Sequence, residues 1–295
     1  MIKPEDVTII IPHLQGIPEA DYALVQCIIS LQETTKSPII IATNGGEPLP
    51  LPTVSAGIAC SFEGVKRIHV WDQGQELAVN AAVATTNTPW VFITNNDMIY
   101  APGWFEKLGQ FTEVIDPKTN RIVNVKCISP KLIEPRQGAP TFEVYFCGGA
   151  GGDFDKAKWL EFAKNYKRKT VSILMDGFNL PFLISKELWD IVGGYDINYD
   201  PWGSNGDSDL EYKIKLAGVQ SFQNQDCIVY HFSQTSGTFN PENDSYRFKN
   251  YAYFKEKWGF PRTDEGIWEA TFTIPEARSR GGERALEPEW EGKYK

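Results

Sequence analysis

Four runs of uninterrupted apolar residues, VTIII (7–11), IIIAT (39–43), IHVW (68–71) and WVFIT (90–94), punctuate the first hundred residues, with longer segments of helical spacing between them. This alternation predicts βαβ units. Strands without polar alternation are covered on both faces, so the pattern predicts an α/β fold with a mainly parallel, doubly wound central sheet flanked by helices. Ligands of such sheets bind beyond the carboxyl ends of the strands. The segments there read PHLQG (12–16), NGGE (44–47), DQGQE (72–76) and NND (95–97), rich in glycine and hydrogen-bonding side chains. The second half is less regular. It predicts strands over 122–129 and 227–232, helices over 155–166 and 185–193, and a helix capped by Asp207 and stopped by Gly218. A helix over 243–260 would put Tyr246, Phe254 and Trp258 on its core face. No repeat and no linker rich in Pro, Gly or Ser divides the chain, so a single composite domain is expected over 1–260, followed by a polar extension over 261–295.

Composition narrows the picture. The 295 residues are 42% hydrophobic and 13% aromatic, enough for a large core, and the formal net charge of -9 argues against a nucleic-acid partner. Five cysteines, Cys27, Cys60, Cys127, Cys147 and Cys227, include no CxxC pair and read as buried, reduced thiols of a cytoplasmic protein. No apolar run is long enough for a secretion signal or a membrane span, which leaves at most peripheral membrane contact.

Three groups of residues carry candidate chemistry. Asp97, with Asn95 and Asn96, ends an apolar strand where a ligand is expected, although such a cluster is also ordinary turn chemistry. Oxygen ligands from Asp97 and Asn95 suit Mg2+ or Mn2+, which would bridge an acidic protein to the phosphates of a nucleotide. The segment DPWGSNGDSDLEYKIKLAG (200–218) places Asp207 and Asp209 in the first helical turn behind a glycine-rich approach containing Trp202. Helix-dipole stabilisation accounts for one such acid. The other, Asp207, is placed to take a proton from an attacking hydroxyl, while Asp209 points elsewhere and organises the helix start. His231 closes a strand, as a structural hydrogen-bonding residue or a metal ligand. The cluster CGGAGGD (147–153) has neither the GK[ST] of a P-loop nor GxGxxG spacing, and is expected to be a mobile loop near the acceptor side.

The order of these motifs resembles the family 2 glycosyltransferases with a GT-A fold, over residues 7–258. VTIIIPH, with Pro12, looks like that family's first strand, and IIIATNGGE like its second, where Asn44 takes the position that holds the nucleotide base. GQELAVN is similar to the family's G-x-x-x-A-x-N helix, which puts Gly74 and Asn80 in the donor region. Asp97 matches the last acid of the DXD motif, whose first acid is replaced by Asn95. GDSDLEYKIKLAG looks like the E-D-x-D-L helix, with Gly206 in place of the Glu and both aspartates kept. The resemblance makes Asp207 the catalytic base, places Asp209 and Trp202 on the acceptor side, and matches His231 to a histidine that completes the metal site in some relatives. It implies a donor-binding half over about 1–100 and a catalytic half over about 101–260. The implied activity is a metal-dependent, inverting hexosyl- or N-acetylhexosaminyltransferase that takes a UDP-, GDP- or dTDP-sugar to a hydroxyl-bearing glycan acceptor. Two alternatives stand beside it. A GT-A-like binding protein without turnover would account for Asn95 and Gly206. A sugar nucleotidyltransferase would carry a basic, glycine-rich loop after the first strand, which PHLQGIPEAD is not.

Overall fold

All seven residues of the first strand are buried, which follows from helices lying on both of its faces. The computed structural model describes residues 1–258, except 53, 56–57, 60, 116–119, 137–142, 151, 176–179, 234 and 236–239. The chain opens with β1 (Val7–His13), α1 (Pro18–Thr34) and β2 (Ile39–Asn44). A small hairpin of β3 (Val54–Ser55) and β4 (Ile58–Ala59) leads to β5 (Val65–Val70), α2 (Gln75–Ala84), β6 (Trp90–Ile93) and β7 (Met98–Tyr100). Then come α3 (Trp104–Gly109), a second hairpin of β8 (Glu113–Ile115) and β9 (Ile122–Asn124), β10 (Cys127–Glu134) and β11 (Glu143–Val144). The last third holds α4 (Lys156–Asn165), β12 (Ile173–Met175), β13 (Phe182–Ser185), α5 (Lys186–Val192), α6 (Gly206–Leu216), β14 (Ser221–His231) and α7 (Asp244–Trp258).

The main sheet runs β12-β14-β10-β13-β6-β1-β2-β5, with β11 added to β10 and β7 to β14. Strands β5, β2, β1 and β6 are mutually parallel, as are β10 and β14, and β13 lies antiparallel between β6 and β10. Alternate side chains of β1 serve different cores. Ile9 and Ile11 pack with Leu24, Ile28 and Leu31 of α1 and Trp104 of α3, while Ile10 packs with Ala78, Val79 and Ala82 of α2 and Leu188 of α5.

Some expected elements differ. Residues 122–129 are two strands, because Ile122 is 69% exposed in a surface hairpin while Cys127 begins a wholly buried strand. Strand β14 starts six residues earlier than its apolar run. Its polar start is satisfied internally: Asn224 donates to the Lys107 carbonyl at 2.8 Å and accepts from the Asp226 amide at 2.8 Å, where the register with β10 shifts. Helix α6 begins at Gly206 after Asn205 in a left-handed conformation, so Asp207 is its second residue and not its cap. Gly218 follows the helix with φ of +79°, as expected of its stop. On α7, Phe254 and Trp258 are buried against Tyr199 and Tyr212, but Tyr246 is 39% exposed. Asn250 completes the inward row instead, donating to the Tyr199 carbonyl at 2.7 Å. Cys27, Cys127, Cys147 and Cys227 are buried thiols, whereas Cys60 and the extension from 261 lie outside the described residues.

Candidate active site

Asp97 owes its surroundings to strand pairing. After β6 ends at Ile93, the chain turns through Asn95, Asn96 and Asp97 into β7, which pairs antiparallel with the end of β14, Met98 opposite His231. The Phe232 amide donates to the Asp97 carbonyl at 3.0 Å and locks the corner. His231 Nε2 then stands 3.4 Å from Asp97 Oδ2, which also accepts from Thr235 Oγ1 at 3.0 Å. Behind the ring, His231 Nδ1 lies 2.7 Å from Oε1 of Glu134, the last residue of the parallel neighbour β10. Burial alone would raise the Asp97 carboxyl, but the charge and hydrogen bond of His231, with Thr235, hold it below the ordinary carboxylate range. Burial likewise disfavours the imidazolium of His231, and the two carboxylates outweigh it, lifting the ring to about 10.

Asp97 is 5% exposed, yet its Oδ1 has no hydrogen-bond partner. An orphaned buried carboxylate oxygen beside an imidazole nitrogen fits a divalent ion such as Mn2+. A carboxylate on the far nitrogen of a ligating histidine is the arrangement that fixes its tautomer and raises its basicity. Asp97 and His231 are therefore the residues able to hold such an ion, with Glu134 behind them. Among the described residues, however, no group of three or more His, Cys, Asp or Glu side chains is gathered as a complete cage. Asn95 is half-buried at the turn. Asn96 turns inward, with Nδ2 3.0 Å from His13 Nδ1, while His13 Nε2 lies 3.1 Å from Asp21 on α1. Its amide ties the turn to β1 and α1, beside the buried Pro12.

The start of α2 gathers other expected residues. Asn44, the last residue of β2, accepts from the Gly74 amide at 3.2 Å. Asp200 caps α2 from a distant loop, accepting from the amides of Glu76 at 3.0 Å and Leu77 at 3.1 Å. Gly74 makes this close approach feasible, since a Cβ there would overlap the Asp200 carboxylate. Asn80 uses both ends of its amide on one residue, donating to the Tyr195 carbonyl at 2.8 Å and accepting from the Tyr195 amide at 2.9 Å. It clamps the turn that leads to the loop 200–206, and its amide faces that backbone.

Tyr195 carries the connection onward: its hydroxyl donates to Asp207 Oδ1 at 2.8 Å. Asp207 is half-buried at the start of α6, behind the half-buried Trp202. Asp209, by contrast, is wholly buried and faces α7. It accepts from Trp258 Nε1 at 3.0 Å, lies 2.5 Å from Lys257 Nζ and 3.3 Å from Lys213 Nζ, and so does not face an acceptor. These contacts tie α6 to α7. The glycine-rich loop is tied at its first residues: the Tyr230 hydroxyl donates to the Gly148 carbonyl at 2.7 Å, and Asp153 accepts from the Gly149 amide at 2.9 Å. Sequence reasoning missed Glu134, Glu76, Asp200 and Tyr195. Glu76 and Asp200 had a signal, the one closing the strand-end segment 72–76 and the other opening the glycine-rich loop 200–206.

No family model and no curated protein matches the sequence. Among solved structures, the chain is similar to the crystal structure of GalNAc-T7 with UDP, GalNAc and Mn2+, with a TM-score of 0.56 and 16% identity over 86% of this chain and 48% of that one. It is also similar to the crystal structure of S. aureus TarS 1-349, with a TM-score of 0.50 and 10% identity over 92% of this chain and 76% of that one. Both have GT-A-like glycosyltransferase folds, and the GT-A fold is the fold of this chain. The chain spans about half the length of the GalNAc-T7 structure.

Proposed function

We propose that this protein is a metal-dependent glycosyltransferase that moves a sugar from a nucleoside-diphosphate donor to an acceptor hydroxyl. The observation that carries the reading is the corner where Asp97, with its unpartnered Oδ1, meets His231 braced by Glu134 at the carboxyl edge of the parallel strands. A UDP and Mn2+ complex of the structurally similar GalNAc-T7 makes a UDP-sugar with Mn2+ the first donor to test, ahead of GDP- and dTDP-sugars and Mg2+.

In this reading Asp97 and His231 hold the metal, with Asn95 at its edge. Bound there, it would act as a Lewis acid on the departing diphosphate. Asn44, Gly74 and Pro12 line the donor side, and Trp202 the acceptor side. Asp207, oriented by Tyr195, takes the proton of the acceptor hydroxyl. The acceptor oxygen forms its bond to the anomeric carbon as the bond to diphosphate breaks, and the electron pair leaves with the nucleoside diphosphate. A single displacement inverts the anomeric carbon. The transferred group is then a hexosyl or N-acetylhexosaminyl unit, added to a glycan.

Release of nucleoside diphosphate from a panel of nucleotide sugars, with Mn2+ or EDTA and mixed glycan acceptors, tests the reading. Metal-dependent release for one donor, with an Asp207→Asn variant that binds the donor but does not transfer, supports it, and the anomeric proton coupling of the product reports inversion. Donor binding without release in every condition would favour the binding-protein reading to which Asn95 and Gly206 point.

A further inference from the structure

Glu76 is a carboxyl with 2% exposure on the second residue of α2, and its Oε2 has no hydrogen-bond partner. Its Oε1 lies where side chains of the acceptor loop would begin: a Cβ on Gly203 or on Gly206 would stand well inside contact distance of it. Gly203 is in the left-handed region, but Gly206 is not, so at Gly206 what an added Cβ would have to displace is the Glu76 carboxyl itself. Among the described residues no Lys, Arg or His pairs with Glu76 or with its neighbour Asp200. The groups facing Glu76 are acidic or neutral: Asp200 from the loop, within hydrogen-bonding reach, Asp207 from α6, and Tyr195 from the turn clamped by Asn80. Asp200 has both oxygens accepting from backbone amides at the amino end of α2, whereas Oε2 of Glu76 accepts from none. A proton shared between these two carboxyls would relieve their repulsion.

We propose that Glu76 is a positioning residue: as a neutral carboxylic acid donating to Asp200, it seats the loop 200–206 on α2 and thereby fixes Asp207 at the acceptor. The inference deepens the transferase reading and rests on it. Burial agrees with this protonation, since desolvation first, then Asp200 and Asp207, push the Glu76 carboxyl well above the ordinary range.

The proposal separates charge from shape. Glu76→Gln keeps a neutral donor of the same size, Glu76→Ala removes the seat, and Gly206→Ala inserts a methyl that displaces the flexible end of Glu76 and leaves it unmutated. Each is compared with wild type and Asp207→Asn for nucleoside diphosphate release and transfer, for UDP affinity in Mn2+ by calorimetry, and by infrared spectroscopy for the carbonyl stretch of a protonated carboxyl at neutral pH. The expected result is a kcat loss of about 100-fold in Glu76→Ala and Gly206→Ala, as a misplaced catalytic group produces, with UDP affinity held within about threefold. Glu76→Gln rescues transfer. The protonated-carboxyl band is present in wild type and Asp200→Asn and absent in Glu76→Gln. Absence of that band in wild type, or its survival in Glu76→Gln, overturns the proposal without reference to activity. So does a folded Glu76→Ala protein with wild-type kcat while Asp207→Asn is dead. If Asp207→Asn transfers normally, the base assignment fails instead, and the infrared result alone judges the protonation of Glu76.

Discussion

Asp97 illustrates how the fold prepares a single residue. A buried carboxylate with one unpartnered oxygen is unfavourable by about 1–3 kcal/mol relative to a satisfied one, and such a group persists where a ligand completes it. In its absence, His231 carries part of the compensation. Because the ring is raised to about 10 from an unfolded value near 6.5, its contribution to stability is fully present below about pH 6.5 and is lost as pH rises through about 10. Melting temperatures in EDTA should therefore fall between those values, and His231→Gln should flatten the slope; an unchanged slope contradicts the pairing with Asp97 and Glu134. Asp97 was legible in the sequence because a strand end in a parallel sheet announces a ligand edge. The orientations of Asn80, Asn96 and Asp209 were not, since an amide or acid in a polar segment serves a ligand and a backbone equally well, and only tertiary contacts decide. Asn96 faces His13, Asn80 faces Tyr195 and Asp209 faces Lys257.

At the scale of elements, the site depends on two joints. The first is α2 against the loop 200–206. Asn80→Ala removes two hydrogen bonds to the Tyr195 backbone and should cost about 2 kcal/mol in chemical denaturation, with a fall in transfer because Tyr195 orients Asp207. Gly74→Ala should cost about 1–2 kcal/mol by forcing Asp200 off the amino end of α2, a lost helix cap. The second joint is α7 against α6, where Lys257 lies between Asp196 and Asp209, 2.6 and 2.5 Å away. Lys257→Ala removes the cation shared by two buried carboxylates and should destabilise by about 3 kcal/mol, so a loss under about 1 kcal/mol would show that Lys213 and Trp258 suffice for Asp209, and Tyr253 and Asn198 for Asp196. Lys257 also holds Asp196 far below the ordinary carboxylate range against the effect of burial, so this contribution is lost as pH falls below the unfolded value near 3.9. The strands β1, β2 and β6 were legible from their apolar runs. The polar start of β14 was not, because its side chains are satisfied by partners far away in sequence, Lys107 among them.

Across the whole molecule, one sheet joins a parallel block, β5-β2-β1-β6, to β10 and β14 through the antiparallel β13. The parallel block was readable from its strand–helix rhythm, whereas the position of β13 depends on pairings between distant segments that no local pattern encodes. That topology brings Asp97, from the end of the parallel block, to His231 and Glu134, from the ends of β14 and β10. Among the described residues no helix is long and apolar enough to cross a membrane. In the proposed function this junction holds a metal-bound nucleoside diphosphate. Calorimetric titration of UDP, GDP and dTDP into the wild type and Asp97→Ala, each with Mn2+ and with EDTA, tests it most directly. One nucleotide should bind wild type in Mn2+ and lose at least about tenfold in affinity, about 1.4 kcal/mol, in EDTA or in Asp97→Ala. Equal affinity in all four conditions would contradict it.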